Sequence, residues 1–140
     1  MREIKKIIVH CSMSSFGDAE LINKWHLERG WRGIGYHFVI LNGCRELGRY
    51  RLKDDGVIEK GRDIEIVGAH CKGHNKDSIG ICLIGNYHFS LAQFKALVEL
   101  IKKLKAEYGD LEVYGHRDFC KYKTCPNFEV RDLKAIFGKF

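Results

Sequence analysis

The stretch Ile-Gly-Ile-Cys-Leu-Ile, residues 79–84, is apolar along its whole length. A strand with one face in water alternates apolar and polar residues, so an uninterrupted apolar run predicts a strand that is covered on both faces and lies inside a sheet. The run Ile7-Ile8-Val9 within residues 4–11 has the same character and predicts a second interior strand. Shorter strands are predicted at residues 36–41 and 111–114.

Two segments between these strands have the patterns of capped helices. Asp18 is placed to cap a helix over residues 18–29, because its side chain can accept a hydrogen bond from the first turn. Ser90 and Gln93 have the spacing of a capping box at the start of a helix over residues 90–108. Strands and helices therefore alternate along the chain.

The remaining segments contain turn signals and one more helix. A turn is predicted at Asn42-Gly43, and Asp55-Gly56 predicts the turn of a hairpin within residues 46–60. Asn127 is placed to cap a final helix. Together these elements predict an α/β fold, in which a central mixed β-sheet is flanked by about three helices.

Length and composition indicate how many domains to expect. A chain of 140 residues suits one domain with its own core. Apolar residues make up 45% and charged residues 30% of the chain, a typical globular balance, and no Pro- or Ser-rich linker interrupts it. We therefore expect residues 1–140 to form a single domain, and we expect a monomer.

The net charge of +6 predicts a surface that attracts polyanions, without choosing among them. No DNA- or RNA-binding motif is present, so nucleic acid is not the expected main ligand. The N-terminus lacks the long apolar segment of a secretory signal, and no stretch approaches the length of a membrane span. We expect synthesis in the cytoplasm without a signal peptide, and no membrane partner.

Three histidines, His10, His70 and His116, stand just after apolar strand-like runs. Sites in α/β sheets usually lie at strand ends, and His10 and His116 would converge if their strands were neighbours. Cys125 precedes Pro126 and is therefore expected in an extended loop, where Lys123 would face the same side and favour the thiolate that metals bind.

Two histidines and one cysteine around zinc would leave a fourth position open, which is the pattern of a catalytic site. The chain contains neither HExxH nor a CxxC pair. The spacing alone therefore does not distinguish a zinc centre from structural histidines and a packed loop cysteine.

Four stretches of the chain match motifs of a known family. They are Ile-Ile-Val-His-Cys-Ser at 7–12, Gly-Trp-Arg-Gly-Ile-Gly-Tyr-His-Phe at 30–38, Gly-Ala-His-Cys-Lys-Gly-His-Asn at 68–75 with Ser-Ile-Gly-Ile at 78–81, and Gly-His-Arg-Asp at 115–118 with Lys-Thr-Cys-Pro at 123–126. In these motifs and their order the chain resembles the type 2 N-acetylmuramoyl-L-alanine amidases. That family includes T7-type bacteriophage lysozyme and shares its fold with the peptidoglycan recognition proteins.

The resemblance implies a zinc-dependent enzyme that hydrolyses the amide bond between N-acetylmuramic acid and L-alanine in peptidoglycan. The zinc ligands of the family fall on His10, His116 and Cys125, with one Zn²⁺ per chain. Its catalytic lysine falls on Lys123, which would stabilise the developing negative charge. Its catalytic tyrosine falls on Tyr36, which would position groups or transfer a proton.

The resemblance also implies a substrate groove. His70 falls on a groove-lining position, and Trp31 and Asn75 lie in motif segments that either line the groove or are structural. A non-catalytic binding module is the alternative, but such relatives typically lack the cysteine ligand that Cys125 supplies here. The expected setting is a phage or prophage endolysin that acts on the cell wall after release, with a cytoplasmic amidase of muropeptide recycling as the alternative.

Overall fold

The computed structural model describes residues 2–140 and contains a five-stranded sheet. The strands are β1 Lys6–Cys11, β2 Phe38–Glu46, β3 Arg49–Lys60, β4 Ser78–Leu83 and β5 Glu112–Gly115. The helices are α1 Ala19–Glu28, α2 Leu91–Tyr108 and the single turn α3 Lys134–Phe137, with 3-10 turns at His116–Asp118 and Val130–Leu133. The strand order is β3-β2-β4-β1-β5.

The two apolar runs form interior strands, as predicted. β4 pairs in parallel with both β1 and β2, and β1 also pairs in parallel with β5. Only β3 runs antiparallel to its neighbour β2, so the sheet is mixed. Every residue of β4 is buried, since both faces of this strand are covered. The prediction of an α/β fold with a mixed sheet and three helices is confirmed.

The alternation of side chains along the central strands separates the core from the site. Ile79, Ile81 and Leu83 of β4 point to one face, where they pack with Leu97 and Ile101 of α2. Cys82 and Ile84 point to the other face, where they pack with Ile22 of α1. On β1, Ile7 and Val9 share the α2 face, so His10 lies on the α1 face of the sheet.

The predicted helix caps are present. Asp18 Oδ1 accepts from the backbone N–H of Leu21, 2.9 Å away. Ser90 Oγ accepts from the N–H of Gln93, and Gln93 Oε1 accepts from the N–H of Ser90, which completes the capping box. None of the helices within residues 2–140 is long and apolar enough to cross a bilayer.

Both predicted turn positions are wrong. Asn42-Gly43 lies inside β2, where the side-chain oxygen of Asn42 accepts from the N–H of Cys44 and the strand bulges without reversing. Asp55-Gly56 lies inside β3, where Gly56 passes under α2. The chain reverses at Leu47-Gly48 instead, so the positive φ of Gly43 and Gly56 serves bulges and close packing within the strands.

Asn127 does not cap a helix. Its side-chain amide donates instead to the carbonyl of Asn86, 2.7 Å away. The C-terminal segment begins three residues later as a 3-10 turn without a side-chain cap, and it buries Val130 and Leu133 against the core.

Candidate active site

The three predicted metal ligands meet at the carboxyl edge of β1 and β5. The register of these parallel strands places Val9 opposite Gly115, and the residue that follows each of these two is a histidine. The Nδ1 atoms of His10 and His116 are 3.1 Å apart, and Cys125 Sγ lies 3.5 Å from His116 Nδ1. One ligand atom from each of the three residues lies within 4.8 Å of the others.

These distances match those of a tetrahedral zinc centre. With Zn–N lengths of about 2.1 Å and a Zn–S length of about 2.3 Å, tetrahedral angles place two nitrogens about 3.4 Å apart and nitrogen and sulfur about 3.6 Å apart. The observed separations of 3.1 and 3.5 Å are close to both values. Two imidazoles and one thiolate are also a donor set that zinc uses in catalytic sites.

The protonation states favour metal binding. The pKa of Cys125 is held well below its usual range, first by a hydrogen bond from the Cys11 thiol and further by the neighbouring imidazoles. Burial lowers the pKa of His10 to about 4, so its imidazole is neutral at pH 7. A thiolate and a neutral imidazole are the forms that bind metal ions.

An open groove of about 980 Å³ lies over this cluster. All five of the other predicted site residues line it, together with Cys125 and His116. They are Trp31, Tyr36, His70, Asn75 and Lys123.

Tyr36 stands at the floor of the groove, just before β2. Its ring lies 5.1 Å from the ring of His10, between centroids. Burial raises the pKa of its phenol well above the usual value of 10, so Tyr36 keeps its proton at neutral pH. The side chain is therefore equipped to donate a hydrogen bond next to the metal ligands.

Lys123 lies in the loop before Cys125, which the backbone closes with a hydrogen bond from Lys123 N–H to the carbonyl of Cys120. Its side chain is exposed and lines the same groove as Cys125. A lysine at this position brings a mobile positive charge to the edge of the cluster.

One end of the groove carries a residue that the sequence patterns did not single out. His26, on α1 four residues after the buried Ile22, accepts the N–H of Gly35 at its Nδ1. The centre of its ring lies 4.5 Å from that of Trp31. The guanidinium of Arg29 also lies over the ring of Trp31, 5.6 Å from its centre. The signal for His26 was the helical spacing from Ile22, which places both residues on the inner face of α1.

Asn75 has a backbone role in addition to lining the groove. Its side-chain oxygen accepts the N–H groups of both His70 and Cys71, at 2.9 and 2.8 Å. These bonds hold the loop that carries His70. These contacts directly support a structural role for Asn75, which was one of the two roles expected for it.

Three comparisons place this fold and site among known proteins. Residues 1–128 match the family model described as N-acetylmuramoyl-L-alanine amidase. The chain is similar to the endolysin of Klebsiella phage KP32, with 36% identity over 93% of this chain and 85% of the relative. It is also similar to the endolysin of Escherichia phage T7, with 36% identity over 89% of this chain and 82% of the relative.

A solved structure shows the same likeness in three dimensions. The N-acetylmuramoyl-L-alanine amidase LysC from Clostridium intestinale superposes with a TM-score of 0.82 and 28% identity, over 99% of this chain and 88% of that one. The match in sequence and the match in fold both extend over the segments that carry the histidine–cysteine cluster. The chain belongs to the N-acetylmuramoyl-L-alanine amidase family and is a peptidoglycan amidase.

Proposed function

We propose that this amidase is zinc-dependent and acts as an endolysin, with residues 1–140 as its single catalytic domain. The observation that carries the zinc assignment is the spacing of His10, His116 and Cys125, whose donor atoms are separated as around a tetrahedral zinc ion. The endolysin role is supported by the similarity to phage proteins of that name, of which the chain covers more than four fifths.

The proposed cofactor is one Zn²⁺ held by the two imidazoles and the thiolate. When bound, it supplies Lewis acidity for the scissile carbonyl and for the attacking water. His10 and His116 offer imidazole nitrogens, and Cys125 offers a negative sulfur that offsets part of the charge of the ion. The groove leaves the solvent side of the cluster open for the substrate.

Two further side chains act on the reacting amide. Lys123 reaches the groove as a cation and stabilises the negative charge that develops on the carbonyl oxygen during attack. Tyr36 keeps its phenol proton and orients the attacking water or the carbonyl by a hydrogen bond. The water forms a bond to the carbonyl carbon and gives up a proton, the C–N bond breaks, and the leaving amine takes up a proton. The products are the lactyl carboxylate of N-acetylmuramic acid and a stem peptide with L-alanine as its new N-terminus.

The groove is the proposed binding site for the glycan and stem peptide. Trp31 presents an aromatic surface that is 40% exposed at one end, and His70 and Asn75 lie along the floor. Solved structures of peptidoglycan recognition proteins with tracheal cytotoxin are among the structural neighbours, at 23 and 24% identity, and they share the fold. A peptidoglycan fragment is accordingly the proposed partner, bound by a monomer.

Digestion of purified peptidoglycan, followed by labelling of new amino termini, tests this function. We expect new N-terminal alanine, loss of the signal after zinc is chelated, and recovery when zinc is restored. The Cys125→Ser variant serves as the matched control and should release no alanine at any zinc concentration that restores the wild type. New reducing sugar ends without new alanine would contradict the proposal, and so would full activity in the zinc-free protein.

A further inference from the structure

We propose that Ser78, acting through His70, sets the tautomer of the metal ligand His10, and that both are positioning residues for the zinc site. This inference rests on the proposed zinc assignment. It assigns His70 a role other than contact with the substrate, and it also assigns a role to Ser78. The three side chains Ser78, His70 and His10 are called the serine–histidine chain below.

The direction of hydrogen-bond donation along the serine–histidine chain is set at Ser78, which is completely buried. Its Oγ lies 2.7 Å from the backbone carbonyl of His74. A carbonyl oxygen can only accept, so the hydroxyl of Ser78 donates its single proton there. The lone pairs of the same oxygen are then left to accept from another group.

That group is the ring of His70. His70 Nε2 lies 3.3 Å from Ser78 Oγ, and since the serine proton is already used, a hydrogen bond requires that Nε2 carry a proton. A neutral imidazole has one N–H, so Nδ1 of His70 becomes an acceptor. The hydroxyl of Ser78 thus selects the tautomer of His70.

The next contact passes this selection to His10. His10 Nε2 lies 2.8 Å from His70 Nδ1 inside the protein. Because His70 Nδ1 accepts, His10 Nε2 must donate, which leaves the lone pair of His10 on Nδ1. That Nδ1 is the atom that faces His116 Nδ1 at 3.1 Å, where the metal ion would be bound. A metal ligand whose second nitrogen donates to a fixed acceptor is held in one orientation and is a stronger base.

The ring of His70 is also confined by packing. A Cβ atom at Gly80 would lie 2.6 Å from His70 Cδ2, and one at Gly68 would lie 2.7 Å from the same atom. The two glycines therefore leave a flat slot into which the imidazole fits. Ser78 and Gly80, two residues apart on β4, point to the same face of the sheet, so one supplies the acceptor and the other the space.

The first test is the effect of Ser78→Ala on zinc affinity and on the imidazole nitrogens. We expect zinc to bind ten- to a hundredfold more weakly, which is the usual cost of losing a partner behind a metal ligand. In ¹⁵N NMR spectra of the zinc-free wild type, we expect His70 to be protonated at Nε2 and to accept at Nδ1. In Ser78→Ala, His70 should become a mixture of both tautomers.

Variants of His70 separate the hydrogen bond from the ring itself. In His70→Asn the side-chain oxygen can take the place of Nδ1 and accept from His10, so zinc affinity should stay within a few-fold of the wild type. In His70→Leu no acceptor remains, and affinity should fall at least as far as in Ser78→Ala. Rescue by asparagine is not expected of a residue that serves only to fill space.

Ile79→Val is the control for general damage, because it lies beside Ser78 on β4 but packs on the opposite face with the core. It should lower stability without changing zinc affinity or the nitrogen signals. A folded Ser78→Ala protein with wild-type zinc affinity and an unchanged His70 tautomer would overturn the inference while leaving the zinc assignment intact. A wild-type protein that binds no zinc would overturn the proposed function, and the inference with it.

Discussion

Gly115 shows how a single residue prepares the metal cluster. A Cβ atom at this position would lie 2.7 Å from Cδ of Pro126. The absence of a side chain therefore lets the loop after Cys125 pack directly against the end of β5. The N–H of Arg117 also donates to the carbonyl of Cys125, 2.9 Å away. Backbone packing and one backbone hydrogen bond thus bring the thiol to the histidine that follows Gly115.

Lys123 allows a direct test of a single residue, because it is exposed and is not one of the proposed metal ligands. We expect Lys123→Ala to lower kcat on peptidoglycan by about a hundredfold or more, the usual effect of removing one group that stabilises an oxyanion. Zinc content, measured by atomic absorption, should remain one ion per chain.

Lys121→Ala is the matched control for this variant. Lys121 is an exposed lysine of the same loop whose ammonium lies over the ring of Tyr122, and it does not line the groove. Its loss should leave kcat within about twofold, in line with the small effect of most surface substitutions. Equal losses in both variants would mean that the loop needs positive charge in general and would refute a specific role for Lys123.

Helix α2 is joined to the sheet through the side chain of Gln93. This residue is fully buried, and its amide donates to the carbonyls of Ile40 and Ile84 at 3.1 and 2.8 Å. Its oxygen simultaneously accepts the N–H of Ser90 in the capping box. One side chain therefore both starts the helix and satisfies backbone groups where β2 and β4 separate.

Because of this double role, Gln93→Leu should be more damaging than removal of the cap itself. Leucine removes the side-chain donor to the buried carbonyl of Ile84 and one of the two donors to that of Ile40, and we expect a loss of about 3 kcal/mol in the free energy of unfolding. Ser90→Ala should cost about 1 kcal/mol, the typical value for an N-cap. Urea unfolding measures both, and an equal or smaller loss for Gln93→Leu would show that its bonds to the sheet contribute little.

For the molecule as a whole, we expect stability to fall in mild acid, because several histidines are buried in neutral form. His37 accepts the N–H of Gly80 at Nδ1, and its Nε2 donates to the carbonyl of Ile66, 2.8 Å away. Burial lowers the pKa of His37 to about 4. The unfolded chain takes up a proton at this residue below about pH 6.5, and the folded chain does so only near pH 4.

The contribution of His37 to the free energy of unfolding is therefore present at pH 7 and is lost as the pH falls from about 6.5 to about 4. Between pH 7 and pH 5 it should remove about 2 kcal/mol from the free energy of unfolding. The variant His37→Asn keeps an acceptor for Gly80 but does not titrate, so its loss over the same range should be smaller by about that amount. Urea unfolding of the zinc-free protein at both pH values measures this difference, and identical losses would contradict it.

Zinc should stabilise the whole molecule, because its proposed ligands come from two distant parts of the chain, His10 near one end and His116 with Cys125 near the other. At a free zinc concentration a thousandfold above Kd, the folded state gains about 4 kcal/mol. For a chain of this length that raises Tm by roughly 14 °C. Cys125→Ser should show little or no shift in the same thermal melt. A wild-type Tm that zinc leaves unchanged would contradict binding to the folded state.

Features that depend only on neighbouring residues could be predicted from the sequence. The apolar runs at 7–9 and 79–84 predicted interior strands, and the side chains of Asp18 and Ser90 predicted where two helices begin. Both kinds of signal are local, since burial on both faces requires consecutive apolar residues and a cap acts within one turn. Positions at strand ends and in the loop before Pro126 had nominated His10, His116, Lys123 and Cys125. The family resemblance assigned their roles and added Tyr36.

Features that depend on register and on packing between distant segments became visible only in the folded molecule. The meeting of His10 with His116 requires that β1 and β5 be parallel neighbours with Val9 opposite Gly115, which no local pattern specifies. The glycine of Asp55-Gly56 became part of a bulge because α2 packs against it, which overrode the local preference for a turn. The serine–histidine chain arises in the same way, because hydrogen bonds fix tautomers only after the fold has brought their donors and acceptors together.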